Sequence, residues 1–160
     1  MWTALTMQQM LKIILMAIVP YIELRGAIPL AILGYGASPL TAFVLGVCGN
    51  LLPIIPIMLL LPVLANWAER ILVIRRFFCW IRRRTKKHRV KINNYGFFGL
   101  VFFVAIPLPM TGVWTGSAIA YLLGVRKRSA FAALTLGVLI AGVIVTLMVI
   151  LGSSFNNILD

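Results

Sequence analysis

Four apolar blocks of unequal length dominate the sequence and limit how the chain can fold. They cover approximately residues 5–35, 39–65, 93–124 and 129–152. A helix needs about 20 apolar residues to cross a ~30 Å hydrocarbon core, so the second and fourth blocks predict ordinary transmembrane helices. The first and third blocks, at about 30 residues, are too long for one comfortable crossing and too short for two with a turn between them.

Both long blocks are interrupted in the middle. The first interruption covers residues 20–29, and the second is "IPLPMTG", residues 106–112. In the second, Pro107 and Pro109 each remove a backbone donor and clash with the preceding turn. Two half-helices of about 15 residues would each reach ~22 Å, enough to enter the membrane, turn and leave on the side of entry. We therefore predict two re-entrant helical hairpins.

The positions of the basic residues favour this topology over four simple crossings. Ten of the fifteen Lys and Arg residues lie between Arg70 and Lys91, and three more form "RKR" at 126–128. Four crossings would place these clusters on opposite sides, which the positive-inside tendency disfavours. With hairpins, both clusters are cytoplasmic and both termini lie outside. We expect a multi-pass protein of a bacterial or archaeal inner (cytoplasmic) membrane.

The predicted fold is an all-α integral membrane domain, 1–160, with an internal inverted repeat. Residues 1–65 and 92–160 each hold a re-entrant hairpin and a transmembrane helix, and residues 66–91 form a basic linker between them. Apolar residues recur at helical spacing in the linker, which suits an amphipathic cytoplasmic helix in the membrane interface. Its expected contacts with lipid headgroups come from Arg75, Arg76, Arg82, Arg83 and Arg84. Inverted repeats with broken helices are a recurring plan of secondary transporters.

Composition excludes several other classes of protein. The chain is 62% hydrophobic with a mean hydropathy of +1.04, well above a soluble domain. Its net charge of +12 is concentrated beside membrane segments, which indicates attraction to anionic lipids rather than to nucleic acid. The sequence shows no Ser/His/Asp set, HExxH motif or acidic metal cluster. We therefore expect no enzyme activity, metal or cofactor.

Glu23 and Arg25 are the strongest candidates for a functional site, because they lie in the first interruption, "YIELRGAIPL". The fixed fork of donors on Arg25 matches a phosphate or a carboxylate. A carboxylate in hydrocarbon is expensive, so Glu23 is expected to be paired or to exchange a proton. The alternative is that both residues form a buried pair or cap broken helix ends, without touching a substrate.

The interruptions also predict two half-helix N-termini aimed at one central point, where their free N–H groups would attract an anion. Gly26 and Pro29 fit the start of the returning helix in the first hairpin, since proline is favourable in a first turn. Pro109 and Thr111 have the same character in the second, with Thr111 as the cap. The candidate substrate- and proton-binding set is Glu23, Arg25, Gly26, Pro29, Pro107, Pro109, Thr111, Gly112 and Trp114.

At "ELRGAIPL", residues 23–30, and "PLPMTGVWTGSAIAYLLG", residues 107–124, the sequence resembles the putative small multi-drug export proteins. It is more distantly similar to the DedA/VTT (SNARE-associated Golgi) membrane proteins. DedA relatives are described as lipid flippases or scramblases, including recyclers of undecaprenyl phosphate, and contain paired re-entrant hairpins. The resemblance implies that Glu23 and Arg25 are the acidic and basic functional residues, and that Pro109, Thr111 and Gly112 form the tip of the second hairpin.

Three hypotheses for function follow. The first is a proton-coupled flippase of an anionic lipid phosphate such as undecaprenyl phosphate, held by Arg25. The second is an exporter of small cationic drugs, with Glu23 binding cation or proton in turn and Trp114 as an aromatic wall. The third is a scaffold that binds acidic lipids through the linker. The expected partners are membrane lipids, protons, the substrate and a second copy of the chain in a homodimer.

Overall fold

The computed structural model describes residues 4–68, 89–108 and 111–159, and over these ranges the regular structure is helical, without strands. Residues 69–88 of the predicted linker, with its five headgroup-contact arginines, lie outside the described residues, and so does Pro109. The ends predicted for the linker, 66–68 and 89–91, belong instead to the helices on either side. The helices are α1 (Met7–Ile18), α2 (Glu23–Pro29), α3 (Pro39–Leu51), α4 (Ile54–Ala68), α5 (Arg89–Ala105), α6 (Val113–Leu123) and α7 (Lys127–Leu159).

Among the described residues, two stretches are long and apolar enough to cross a membrane, and they agree with the second and fourth apolar blocks. Pro39–Trp67 covers 29 residues with a mean hydropathy of 2.3, and Lys127–Ser154 covers 28 residues with 2.8. The first consists of α3 and α4, separated by a turn at Leu52 and Pro53. Proline has no N–H to continue the helical pattern, which accounts for a local break there. The second is the apolar part of α7.

The first long block is a pair of short helices with a break between them. Helix α1 begins at a capping box, in which Thr6 and Gln9 each accept a backbone N–H from the other. It ends at Ile18, just before Pro20, and α2 begins at Glu23. The expectation that Pro29 lies in the first turn of the returning helix is wrong, because α2 starts six residues earlier.

Pro29 instead ends α2 and changes the winding of the chain. Without an N–H, it cannot bond the carbonyl of Arg25 as an α-helix requires. A π-helical turn, Leu30–Gly34, follows directly, and the N–H of Tyr35 donates to the carbonyl of Leu30 at 3.1 Å. Such wide turns inside a helix are frequent at functional sites.

The second long block has the same order of helix, break and helix. Helix α5 ends at Ala105, Pro107 lies in the break, and α6 begins at Val113. Helix α6 ends at Leu123, and Gly124, which caps it, adopts a left-handed conformation with φ of 68°. The re-entrant course of each helix pair through a membrane, and the inverted relation of the two halves, stay predictions.

Helices from the two halves pack together, and the larger buried apolar cluster contains residues of both. Helix α2 packs against α1, α3 and α7, and α6 packs against α4, α5 and α7. Glycines allow several of these contacts: an added Cβ would lie 2.7 Å from Ile28 at Gly46, 2.8 Å from Phe43 at Gly142 and 2.7 Å from Val104 at Gly137. These positions therefore serve close helix packing.

Candidate functional site

The breaks of the two helix pairs meet at one place, which we call the junction; it comprises Ile18, Glu23, Arg25 and residues 111–114. Three connections define it. The Arg25 guanidinium (Nη2) donates to the Thr111 hydroxyl at 2.9 Å, and the Trp114 indole N–H donates to the Ile18 carbonyl at 3.0 Å. The backbone N–H groups of Val113 and Trp114 donate to the Glu23 carboxylate. The junction therefore holds the two halves together with polar contacts.

Glu23 caps a helix that belongs to the other half of the chain. Its side chain is 4% exposed, and its carboxylate bonds the first two N–H groups of α6. A carboxylate is favoured there by unpaired N–H groups and by the helix dipole. The N-cap residue itself is Gly112, which has no side chain to supply this bond. The backbone of Glu23 has φ of 49°, a conformation that is unfavourable for this residue type and is found at constrained sites.

The expectation that Thr111 caps α6 is wrong, because the cap comes from Glu23 instead. The Thr111 hydroxyl lies 2.8 Å from the carbonyls of both Ile106 and Leu108, which also accept backbone N–H groups within the break. It also accepts the bond from Arg25. Thr111 therefore connects the second break to α2.

Gly112 is required by the close approach of Glu23. An added Cβ at Gly112 would overlap the carboxylate. Only glycine leaves room for a carboxylate against the backbone at this position. This explains physically why a glycine in the second break, in "TG", faces the glutamate of "ELR" in the first break.

Arg25 contributes the positive charge of the junction. It attracts the Glu23 carboxylate electrostatically, while its own described hydrogen bond goes to Thr111. Its Nε is buried and has no hydrogen-bond partner among the described residues. Arg25 thus has a donor left for another group.

Trp114 connects the junction to an apolar cavity of about 560 Å³. One wall of the cavity is α4, and Ile18 and Trp114 close the side next to the junction. The lining residues are Ile18, Leu52, Pro53, Pro56, Ile57, Leu60, Leu61, Leu64 and Trp114. The indole N–H is fixed on Ile18, so the ring is held at the cavity edge.

Comparison with known proteins places the chain in a family. A family model described as "Putative small multi-drug export protein" matches residues 23–144, more than half of the chain. The chain belongs to this family. The match begins at Glu23 and includes the junction except for Ile18. No curated protein and no solved structure matches the chain.

For this export-family protein, the junction unites five predicted site residues: Glu23, Arg25, Thr111, Gly112 and Trp114. The other described residues of the predicted set have structural roles. Pro29 and Pro107 shape the backbone. An added Cβ at Gly26 would overlap Ile22, so Gly26 allows close packing in the first turn of α2. The likeness to DedA proteins stays a prediction.

Sequence reasoning missed two junction groups and most of the cavity wall in this family member. Val113 contributes a backbone N–H and Ile18 a carbonyl, and neither side chain marks that role. The only signal for Ile18 was its place just before the break at Pro20. Within the described part of the chain, no cluster of His, Cys, Asp or Glu could hold a metal ion.

Proposed function

We propose that this protein is a membrane transporter that exports small apolar compounds, and that a proton on Glu23 couples the movement. The apolar cavity beside Trp114 is the proposed binding site. This corresponds to the drug-export hypothesis, with one change: the lining is hydrophobic and the neighbouring Arg25 would repel a cation, so apolar or neutral compounds fit better than cationic ones.

The observation that carries the proposal is that Trp114 lines the cavity and also bonds the charged group of the junction. The Trp114 ring lines the cavity, while its backbone N–H donates to the Glu23 carboxylate. A cavity of about 560 Å³ is in the size range of small-molecule sites, which are mostly apolar with a few polar groups nearby. A change in the protonation of Glu23 would therefore act directly on Trp114, and so on the wall of the cavity.

Protonation of Glu23 supplies a coupling step. An ionised carboxylate can accept both N–H groups at the start of α6 strongly, whereas a neutral carboxyl binds them less well and interacts less with the helix dipole. Loss of the charge would loosen α6 from α2 and let Trp114 move. Among the described residues, Arg25 is the charged residue that interacts with Glu23.

We further propose that the two helix pairs are re-entrant hairpins in an inverted repeat, in the inner (cytoplasmic) membrane, with the basic linker in the cytoplasm and the termini outside. Support comes from the length of the short helices, since α1 has 12 residues and α6 has 11, too few to cross a membrane. The meeting of both breaks at the junction is the geometry expected of such hairpins. A homodimer, also proposed, would enclose the cavity, which is partly open in the single chain.

A flippase for an anionic lipid phosphate, such as undecaprenyl phosphate, is the second candidate. The free Nε of Arg25 favours it, because a buried guanidinium donor without a partner would bind a phosphate oxygen. The N-terminus of α6 does not add to this site, since its first N–H groups already bind Glu23.

Ligand binding to purified protein tests the first candidate. We expect an uncharged apolar dye to bind saturably and to change the tryptophan fluorescence of the wild type. Trp114→Phe should remove most of this change, whereas the matched control Trp67→Phe, on the exposed face of α4, should keep it. Equal responses from both variants would contradict the proposed site. Leaflet-to-leaflet movement of a labelled polyprenyl phosphate, lost in Arg25→Ala, would support the second candidate instead.

A further inference from the structure

We propose that a second, smaller cavity is a binding site for a phosphate-bearing group, supplied by the headgroup of an anionic phospholipid. It lies among α4, α6 and the start of α7 and has a volume of about 190 Å³. Its lining shares only Leu61 with the larger cavity beside Trp114. The site is therefore separate from the proposed export site and does not depend on that function.

Ser117 provides the first observation that points to a ligand. Its side chain is 1% exposed and lines this cavity, and its hydroxyl has no hydrogen-bond partner among the described residues. A serine in a helix can usually bond a carbonyl one turn earlier, and a buried hydroxyl without a partner is unfavourable. A ligand oxygen in the cavity would satisfy it.

Lys127 provides the second observation. It lines the same cavity, and it is the first residue of α7, where the helix dipole also favours a negative group. Arg126 and Arg128 flank it in the sequence and raise the local positive potential. Because the Lys127 ammonium and the Ser117 hydroxyl line one small cavity, an anion with oxygen acceptors would fit it best.

The rest of the lining identifies the source of that anion. Met58, Pro62 and Ala130 present an apolar surface, which would repel a hydrated free ion but suits the glycerol and upper acyl chain of a lipid. Charged residues at the end of an apolar span lie in the membrane interface, where phospholipid phosphates are found. The site thus combines a phosphate pocket with an apolar wall.

Native mass spectrometry of the purified full-length protein tests this site by titration with phosphatidylglycerol, phosphatidylcholine or glycerol 1-phosphate. We expect preferential retention of phosphatidylglycerol, weakened about tenfold in Lys127→Gln, as for loss of a charged hydrogen bond. Arg128→Gln removes the same charge from a neighbour that does not line the cavity, and it should weaken retention less than threefold. Ser117→Ala should also weaken it, unlike Thr135→Ala, which removes another buried hydroxyl without a partner.

The remaining outcomes decide between sources or overturn the site. Binding of glycerol 1-phosphate alone that requires Lys127 would keep the phosphate site and replace its lipid source by a soluble one. Equal losses in Lys127→Gln and Arg128→Gln would show diffuse attraction by the basic surface and would overturn the proposal. Equal retention of both lipids by the wild type would overturn it as well.

Discussion

The carboxylate of Glu23 accepts a hydrogen bond from the backbone N–H of Trp114, so a side chain from the first half of the chain caps a helix of the second. The two residues are 91 positions apart. Since Trp114 also lines the larger cavity, this bond connects the Glu23 carboxylate to the proposed binding site.

Gly112→Ala should destabilise the protein. The new methyl group would overlap the Glu23 carboxylate and force the junction apart, with an expected cost of about 1–3 kcal/mol, typical of overpacking. Thermal unfolding in detergent measures this. Gly99→Ala is the matched control, because an added Cβ there has no atom within 4 Å. Equal melting temperatures for the two variants would refute the close approach.

Two replacements of Glu23 should distinguish the contribution of its capping hydrogen bonds to stability from that of its charge. Gln keeps an oxygen that can accept the N–H groups of Val113 and Trp114, although more weakly than a carboxylate, so Glu23→Gln should destabilise the protein less than Glu23→Ala. Glu23→Ala leaves these groups without the cap and should cost about 1–2 kcal/mol. Chemical unfolding of both variants is the measurement. If Ala were as stable as Gln, the capping role would be wrong.

Arg25 and Thr111 should show coupled effects on stability. Their hydrogen bond joins α2 to the second break, and such a bond contributes about 1 kcal/mol net. In a double-mutant cycle, Arg25→Met and Thr111→Val should each destabilise, and the double variant should cost less than the sum. Thr146→Val with Arg25→Met is the control pair, since Thr146 bonds within α7 and should give additive effects.

The lengths of the apolar blocks and the positions of proline predicted the two long spans and the two breaks. Both are local properties of the sequence. Whether an apolar block can cross as one helix depends on the length of that helix relative to the bilayer thickness. The charges at 23 and 25 also indicated residues that meet at the junction. Sequence alone could not show what each charge binds, because the partners of Glu23 are backbone N–H groups far along the chain.

Two expectations were wrong for different physical reasons. Thr111 has the right chemistry for an N-cap, and Pro29 for a first helical turn, so local preference favoured both. In the structure, the long-range bond from Glu23 supplies the cap of α6, and α2 starts at Glu23 itself. A tertiary contact therefore overrides the local preference of Thr111, whereas α2 begins early through local bonds, such as that from the Gly26 N–H to the Ile22 carbonyl.

Transport driven by a pH gradient tests the central claim most directly. Proteoliposomes containing wild type, Glu23→Gln or Trp67→Phe would be loaded with the uncharged dye that binds the purified protein, and its movement followed with and without a pH gradient. We predict gradient-dependent movement by wild type and Trp67→Phe, reduced at least tenfold in Glu23→Gln although that variant stays folded. Equal gradient-driven transport by Glu23→Gln and wild type would contradict proton coupling through the junction.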